Sequence, residues 1–146
     1  MDLSYLQGEV LDGRFRLDAL AGQGGFGAVF RGTQLSVDRT CAVKVVAPEL
    51  ATNETSLDRF RVEARATSRL SNPHTVVLFD FGRDPERSVL FLAMEWLDGG
   101  DLRDVVQRSG PLTFGATAKV VDQVAQSLSE AHQTGAVHRD IKPRNV

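Results

Sequence analysis

Along the first half of the chain, apolar and polar positions alternate in short runs. Phe15, Leu17 and Ala19 fall on one side of a strand predicted over Phe15 to Ala21, with Arg16 and Asp18 on the other. Gly27 to Gln34 and Thr40 to Val46 read as two further strands joined by the polar turn Ser36-Val37-Asp38-Arg39. The period then changes. From Ser56 to Leu70, Leu57, Phe60, Ala64 and Thr67 share one face and Arg61, Arg65 and Arg69 another, which predicts a helix closed by Asn72-Pro73. The basic face is read as a solvated one. Val76 to Phe81 and Val89 to Met94 return to strand, around the turn Arg83-Asp84-Pro85-Glu86. Beyond Gly99-Gly100 the pattern is helical, with a short helix from Asp101 to Gln107 and a long one that starts after Gly110-Pro111, with Thr113 as N-cap, and runs to about Gln133. In the long helix Phe114, Ala118, Val121, Ala125 and Leu128 recur at steps of 4, 3, 4 and 3. Five strands with one helix, then helices, predict an α+β arrangement.

Composition narrows the function classes. The 146 residues are one ordinary domain in length, and 42% hydrophobic with 25% charged residues is the balance of a globular protein, not of a disordered or fibrous one. A net charge of -2 gives no field that would draw nucleic acid or anionic lipid. The single cysteine, Cys41, excludes an internal disulfide framework and fits a reducing compartment. No apolar run approaches the ~18 residues of a bilayer span, and Met1-Asp2-Leu3-Ser4-Tyr5 lacks the basic start of a signal peptide, so the expectation is a cytoplasmic chain with no membrane segment. His74, His132 and His138 are far apart, and no second cysteine joins them in a structural metal site.

Three stretches carry candidate chemistry. Gly22-Gln23-Gly24-Gly25-Phe26-Gly27-Ala28-Val29 has glycines where a backbone can turn tightly and bring N–H groups close to phosphate oxygens. A dinucleotide fold uses the same glycines, but its loop opens a helix, whereas Ala28-Val29-Phe30-Arg31-Gly32 continues as a strand; a P-loop is excluded because no Gly-Lys-Ser/Thr follows. A flap over phosphates and a plain flexible hairpin both remain. In Cys41-Ala42-Val43-Lys44 the period of 2 puts Ala42 and Lys44 on one face, where a small residue leaves room for a flat base and an ammonium reaches phosphate. An exposed strand lysine is the plainer alternative, and Glu63 on the helix is a candidate partner for it. Finally, His138-Arg139-Asp140-Ile141-Lys142-Pro143-Arg144-Asn145 gathers a carboxylate, an ammonium and a carboxamide around a stiffening proline. That set suits phosphoryl transfer with Mg²⁺, although a polar loop has the same composition.

The order Gly22-x-Gly24-x-x-Gly27-x-Val29, Ala42-Val43-Lys44, Glu63, Met94-Glu95-Trp96-Leu97 and His138 to Asn145 resembles the eukaryotic-like protein kinases, over about Phe15 to Val146. The lead-in Ala131-His132-x-x-Gly135-x-Val137-His138 is most similar to bacterial members. The resemblance implies a protein-kinase-like fold: a lead-in over 1–13, a five-stranded antiparallel N-lobe sheet with one long helix over 14–97, and a truncated helical C-lobe over 98–146. It implies ATP and Mg²⁺ as cofactors and a protein serine or threonine as substrate. Gly22, Gly24 and Gly27 would cover the phosphates, Val29 and Ala42 would line the adenine pocket, and Lys44, paired with Glu63, would bind the α- and β-phosphates. Met94 would close the back of the pocket, while backbone groups of Glu95 and Leu97 hydrogen-bond adenine. Asp140 would be the catalytic base, Lys142 would contact the γ-phosphate, Asn145 would take Mg²⁺, and Arg139 would meet a phosphorylated activation loop. Lys142, two residues after Asp140, is similar to the serine/threonine branch.

The sequence departs from the family pattern at two points. Ala21 stands where a larger aliphatic residue usually covers the adenine. Asp80-Phe81-Gly82 precedes His138 instead of following Asn145, so it is read as strand core and turn entry rather than as the metal-binding Asp-Phe-Gly. Little or no phosphotransfer is therefore expected from these residues alone, and a non-catalytic nucleotide-binding half-kinase module is the alternative. Phe114, Val121, Ala125 and Leu128 are expected to leave an apolar helix surface through which copies self-associate.

Overall fold

The computed structural model describes residues 2–25, 27–46 and 54–146, and in the helix beginning at residue 54 the side chains of residues 57, 58, 60–62 and 64–67. The chain forms two compact units, Met1–Ser68 with Val77–Trp96, and Arg69–Val76 with Leu97–Val146.

Among the described residues the first unit is built on six antiparallel strands, β1 (Val10–Leu11), β2 (Phe15–Gly24), β3 (Gly27–Gln34), β4 (Arg39–Val46), β5 (Leu78–Asp84) and β6 (Val89–Glu95), in the order β1-β2-β3-β4-β6-β5. Helix α1 (Glu54–Thr67) belongs to the same unit. All five expected strands are present, and β1 corrects the count to six. It is two residues long, too short to show a period, and it pairs with β2 through Val10↔Arg16 and Leu11↔Phe15. Alternation sorts the sheet into two faces. Phe15, Leu17, Phe30, Val43, Val45 and Phe91 are fully buried on one of them, with the Phe15 and Phe91 rings 5.5 Å apart. Leu3, Leu6 and Leu11, from the lead-in, join that core and are at most 1% exposed. Each such leucine contributes about 2 kcal/mol by leaving water.

Polar contacts fasten this N-terminal segment to the turn after β5. Asp84 is 2% exposed and accepts hydrogen bonds from the Asp12 N–H (2.9 Å), the Arg87 N–H (2.9 Å) and Arg87 Nη1 (3.1 Å). Burial pushes the Asp84 carboxyl up, but those two N–H groups and the guanidinium outweigh it and hold it below the usual carboxylate range. Arg87 also pairs with Glu9, and Arg14 with Asp12 and Asp80.

Asp80-Phe81-Gly82 lies inside β5, which runs on to Asp84. Asp80 holds Arg14, and Phe81 meets Phe60 of α1 edge-on at 6.2 Å. Gly82 is not a turn entry, as the sequence suggests, but a strand position. A Cβ there would come within 2.7 Å of the Phe91 ring and 2.8 Å of Arg14 Nη2.

The second unit contains α2 (Leu102–Ser109), α3 (Phe114–Gln133) and a 3-10 turn at Pro143–Asn145. Side chains start both helices: Asp101 accepts from the Asp104 N–H at 2.9 Å and Thr113 from the Ala116 N–H at 3.2 Å. Gly135, at φ 80°, ends α3 by letting the Ala136 N–H reach the Ala131 carbonyl at 2.9 Å. Phe114 is 91% and Val121 60% exposed, and Ala125 is exposed as well, whereas Leu128 is half-buried. No helix among the described residues is long and apolar enough to cross a membrane.

Residues 71–75 dock on α3. The Glu130 carboxylate accepts from the Ser71 N–H (2.9 Å), the Ser71 hydroxyl (2.9 Å) and the Asn72 N–H (2.9 Å), and the Thr75 and Ser127 hydroxyls lie 2.6 Å apart. The Ser71 and Asn72 N–H groups hold the Glu130 carboxyl below its ordinary value of 4.5. A carboxyl depressed in the folded state stabilises fully above its unfolded value and loses that contribution as pH falls through the folded one. Glu130→Gln is therefore expected to lower the melting temperature at neutral pH, with the gap to the parent chain closing below pH 4.5. A gap that stays constant across that range, in thermal melts followed by circular dichroism, would remove the carboxylate from this role.

Candidate functional site

The glycine stretch is the tip of the β2–β3 hairpin. Gly22↔Val29, Gln23↔Ala28 and Gly24↔Gly27 pair across it, and register shifts between Leu17 and Ala19 and between Leu20 and Gly22 take Asp18 and Ala21 out of the ladder. Ala21 is exposed at the second of these. Among the described residues, packing requires only one of the three motif glycines. Gly27 has φ 137°, and a Cβ on it would overlap the Val45 carbonyl oxygen and sit 3.2 Å from Val46 Cα. At Gly22, Gly24 and Gly25 nothing among the described residues lies within 4 Å of an added Cβ.

Register brings the strand candidates together. Val29, Lys44 and Leu92 form one cross-strand row, and Arg31, Ala42 and Met94 the next. Cys41, Val43 and Val45 point into the core, so Ala42 and Lys44 share the opposite face, Ala42 at 8% exposure and Lys44 exposed. Cys41 is fully buried, and that burial pushes its thiol up, away from the thiolate a nucleophile needs. In the row beyond Lys44, Val46 and Leu90 pack with Leu57 and Phe60 of α1, so the helix covers the same face. Glu63 follows on α1, but its side chain, and with it the expected Lys44–Glu63 pair, lies outside the described residues.

Glu95 ends β6. Its N–H donates to the Val77 carbonyl at 2.9 Å, and its carboxylate accepts from the Val77 N–H at 2.7 Å. The chain passes into the second unit between Trp96 and Leu97, and Leu97 is 61% exposed.

In the second unit the loop from His138 to Asn145 closes on Asp140. Lys142 Nζ lies 2.9 and 2.7 Å from the two carboxylate oxygens, and Asn145 Nδ2 donates to the Asp140 carbonyl at 2.7 Å and to its Oδ2 at 3.1 Å. The Asp140 N–H points at His138 Nδ1, 3.3 Å away, across Arg139, whose φ of 62° is left-handed. The Pro143–Asn145 turn returns the chain, and the Leu102 N–H at the start of α2 bonds the Val146 carbonyl at 2.8 Å. The Lys142 ammonium, helped by Asn145, holds the Asp140 carboxyl below its usual range. Asp140 is thus an ionised acceptor at neutral pH. Because Asn145 donates through its nitrogen, its oxygen is the atom left to meet a cation.

Each unit therefore holds one part of the predicted set: Ala21, Gly22, Gly24, Gly27, Val29, Ala42, Lys44, Met94 and Glu95 in the first, and Leu97, Asp140, Lys142 and Asn145 in the second. Sequence reasoning missed the side chain of Glu95, which it considered only for its backbone. It missed Glu130 too, whose only sequence signal was an acidic residue on the long helix.

A glycine hairpin, a lysine and a small residue on one sheet face, and an Asp-Lys-Asn loop define a class. Residues 15–146 match the protein kinase domain, and the chain belongs to that family. Two bacterial relatives are the serine/threonine-protein kinase pkn3 of Myxococcus xanthus, 42% identical over 99% of this chain, and PknL of Mycobacterium tuberculosis, 40% identical over 97%. The chain spans 26% and 35% of the lengths of these two proteins. Among solved structures, a single-residue mutant of the PknI kinase domain of Mycobacterium tuberculosis superposes with a TM-score of 0.86 at 30% identity, over 100% of this chain and 58% of its own.

Proposed function

We propose that the chain is the ATP-binding lobe and the beginning of the second lobe of a cytoplasmic serine/threonine protein kinase, with residues 14–97 forming the first and 98–146 the start of the second. The observation that carries this reading is the exposed Lys44, on the sheet face opposite the core, in register with Val29 and one row from the small Ala42. The residues fit ATP. Among the described residues nothing lies within 4 Å of a Cβ added at Gly22 or Gly24, so neighbouring side chains do not crowd the hairpin tip where phosphates would lie. In this reading Gly22, Gly24 and Gly27 cover the phosphates, and Lys44, partnered by Glu63, holds the α- and β-oxygens. Ala21, Val29, Ala42 and Met94 border the adenine, and Glu95 and Leu97 bind its edge through the backbone. Asp140 would take the proton of a protein serine or threonine hydroxyl, Lys142 would meet the γ-phosphate, and the Asn145 oxygen would help hold Mg²⁺. Bound Mg²⁺-ATP supplies the γ-phosphoryl group and its charge neutralisation.

Lys44→Met is expected to weaken ATP binding about 10- to 100-fold, the worth of a charge-assisted hydrogen bond, in isothermal titration. Equal affinity in the parent and the variant would overturn the reading. The polypeptide of these 146 residues by itself is expected to show only background phosphotransfer. An Asp that supplies a second metal contact is not among its residues beyond Asn145, and loss of such preorganised charge costs roughly 10²- to 10³-fold in rate. The exposed Phe114 and Val121 favour self-association of that polypeptide.

A further inference from the structure

The antiparallel ladder between β5 and β6 ends unusually. In a hydrogen-bonded antiparallel pair, each residue gives its N–H to the other's carbonyl. Val77 and Glu95 make one half of that exchange: the Glu95 N–H donates to the Val77 carbonyl at 2.9 Å. The other half is replaced. The Val77 N–H donates instead to the Glu95 carboxylate at 2.7 Å, and the ladder does not close on the Glu95 carbonyl.

We propose that the Glu95 carboxylate is a positioning residue that acts by substitution: by taking the Val77 N–H, it keeps the Glu95 main-chain carbonyl available to the 6-amino group of adenine. The inference rests on the reading of this chain as an ATP-binding lobe. Three physical points support it. A carboxylate accepting from a backbone N–H makes a short, charge-assisted bond that a neutral carbonyl does not match. The two Val77–Glu95 bonds form a closed ring that fixes the peptide at the end of β6, where a carbonyl must be aimed to read a base edge. And without the side chain, the nearest acceptor that regular pairing offers to the Val77 N–H is the Glu95 carbonyl itself. The side chain thus leaves the β5–β6 exchange half-closed, while Glu95 stays in register with Cys41 of β4 on its other side.

Selectivity tests this better than affinity alone. The parent chain is expected to prefer ATP to purine riboside triphosphate, which lacks the 6-amino group, by about fivefold, one neutral hydrogen bond's worth. Glu95→Ala should bring that preference close to unity, chiefly by weakening ATP, while Glu95→Gln, which keeps an acceptor oxygen, should restore most of it. Lys44→Met should weaken both nucleotides alike and leave the ratio intact. If Lys44→Met lowers ATP affinity and Glu95→Ala keeps the parent preference, the positioning role is overturned and the ATP-binding reading stands. If the parent chain binds neither nucleotide, both fall together. Because each ratio is measured within one variant, a general loss of stability in Glu95→Ala does not imitate the predicted change.

Discussion

Gly27→Ala is expected to destabilise the first unit by about 3 kcal/mol, lowering its melting temperature by roughly 10 °C. Two costs add. The backbone at Gly27 has φ 137°, a region that residues with a Cβ avoid, and the new methyl would overlap the Val45 carbonyl oxygen while sitting 3.1 Å from its carbon. The obstruction is backbone on the neighbouring strand, so no rotamer change relieves it. Either β3 peels from β4 at the Gly27↔Val46 end or the hairpin tip changes conformation. Gly24→Ala is the matched control, because nothing among the described residues lies within 4 Å of its added methyl. It should leave the melting temperature within a few degrees of the parent. Equal destabilisation by the two substitutions would show that the flap glycines are needed for folding as a group.

Asp84→Ala is expected to cost about 3 kcal/mol in chemical denaturation, with Asp84→Asn milder. The aspartate is 2% exposed, and its removal strands the N–H groups of Asp12 and Arg87 together with a guanidinium. The loss spreads along the chain. Asp12 lies in the segment whose Leu3, Leu6 and Leu11 fill the core, so unfastening it at Asp84 loosens those leucines as well. Its pH dependence has a definite sign. The carboxyl is held below 3.8 in the folded state, so its contribution is complete above that value and disappears as pH falls through the folded one. The gap between the two proteins should narrow under acid without closing, because a protonated Asp84 still accepts from the N–H groups that alanine strands. An Asp84→Ala chain as stable as its parent at neutral pH would mean that the N-terminal segment is held by its leucines alone.

Strand, helix and turn were written locally. Period-2 runs marked β2, β3, β4, β5 and β6, a change of period marked α1, and Thr113 marked the start of α3, because each signal depends only on neighbours along the chain. The glycine pattern, Lys44 beside Ala42 and the closely spaced Asp140, Lys142 and Asn145 were legible for the same reason: their geometry is set within a hairpin, a strand and a loop. Contacts between distant segments needed the fold. β1 has two residues and no period, and it forms because Leu3, Leu6 and Leu11 are drawn into a core built by later strands. Gly82 looks like a turn residue until Phe91 and Arg14 occupy the space beside it. Asp84 with Asp12, Glu130 with Ser71, and Glu95 with Val77 are hydrogen bonds between segments whose sequences carry no mutual signal, since one acidic residue in a polar stretch looks like another until burial and an unpaired N–H select it. The sequence alone determined the elements and the residue patterns, because each is local; only the tertiary structure decided which carboxylate meets which backbone N–H, because those bonds join segments distant in the chain.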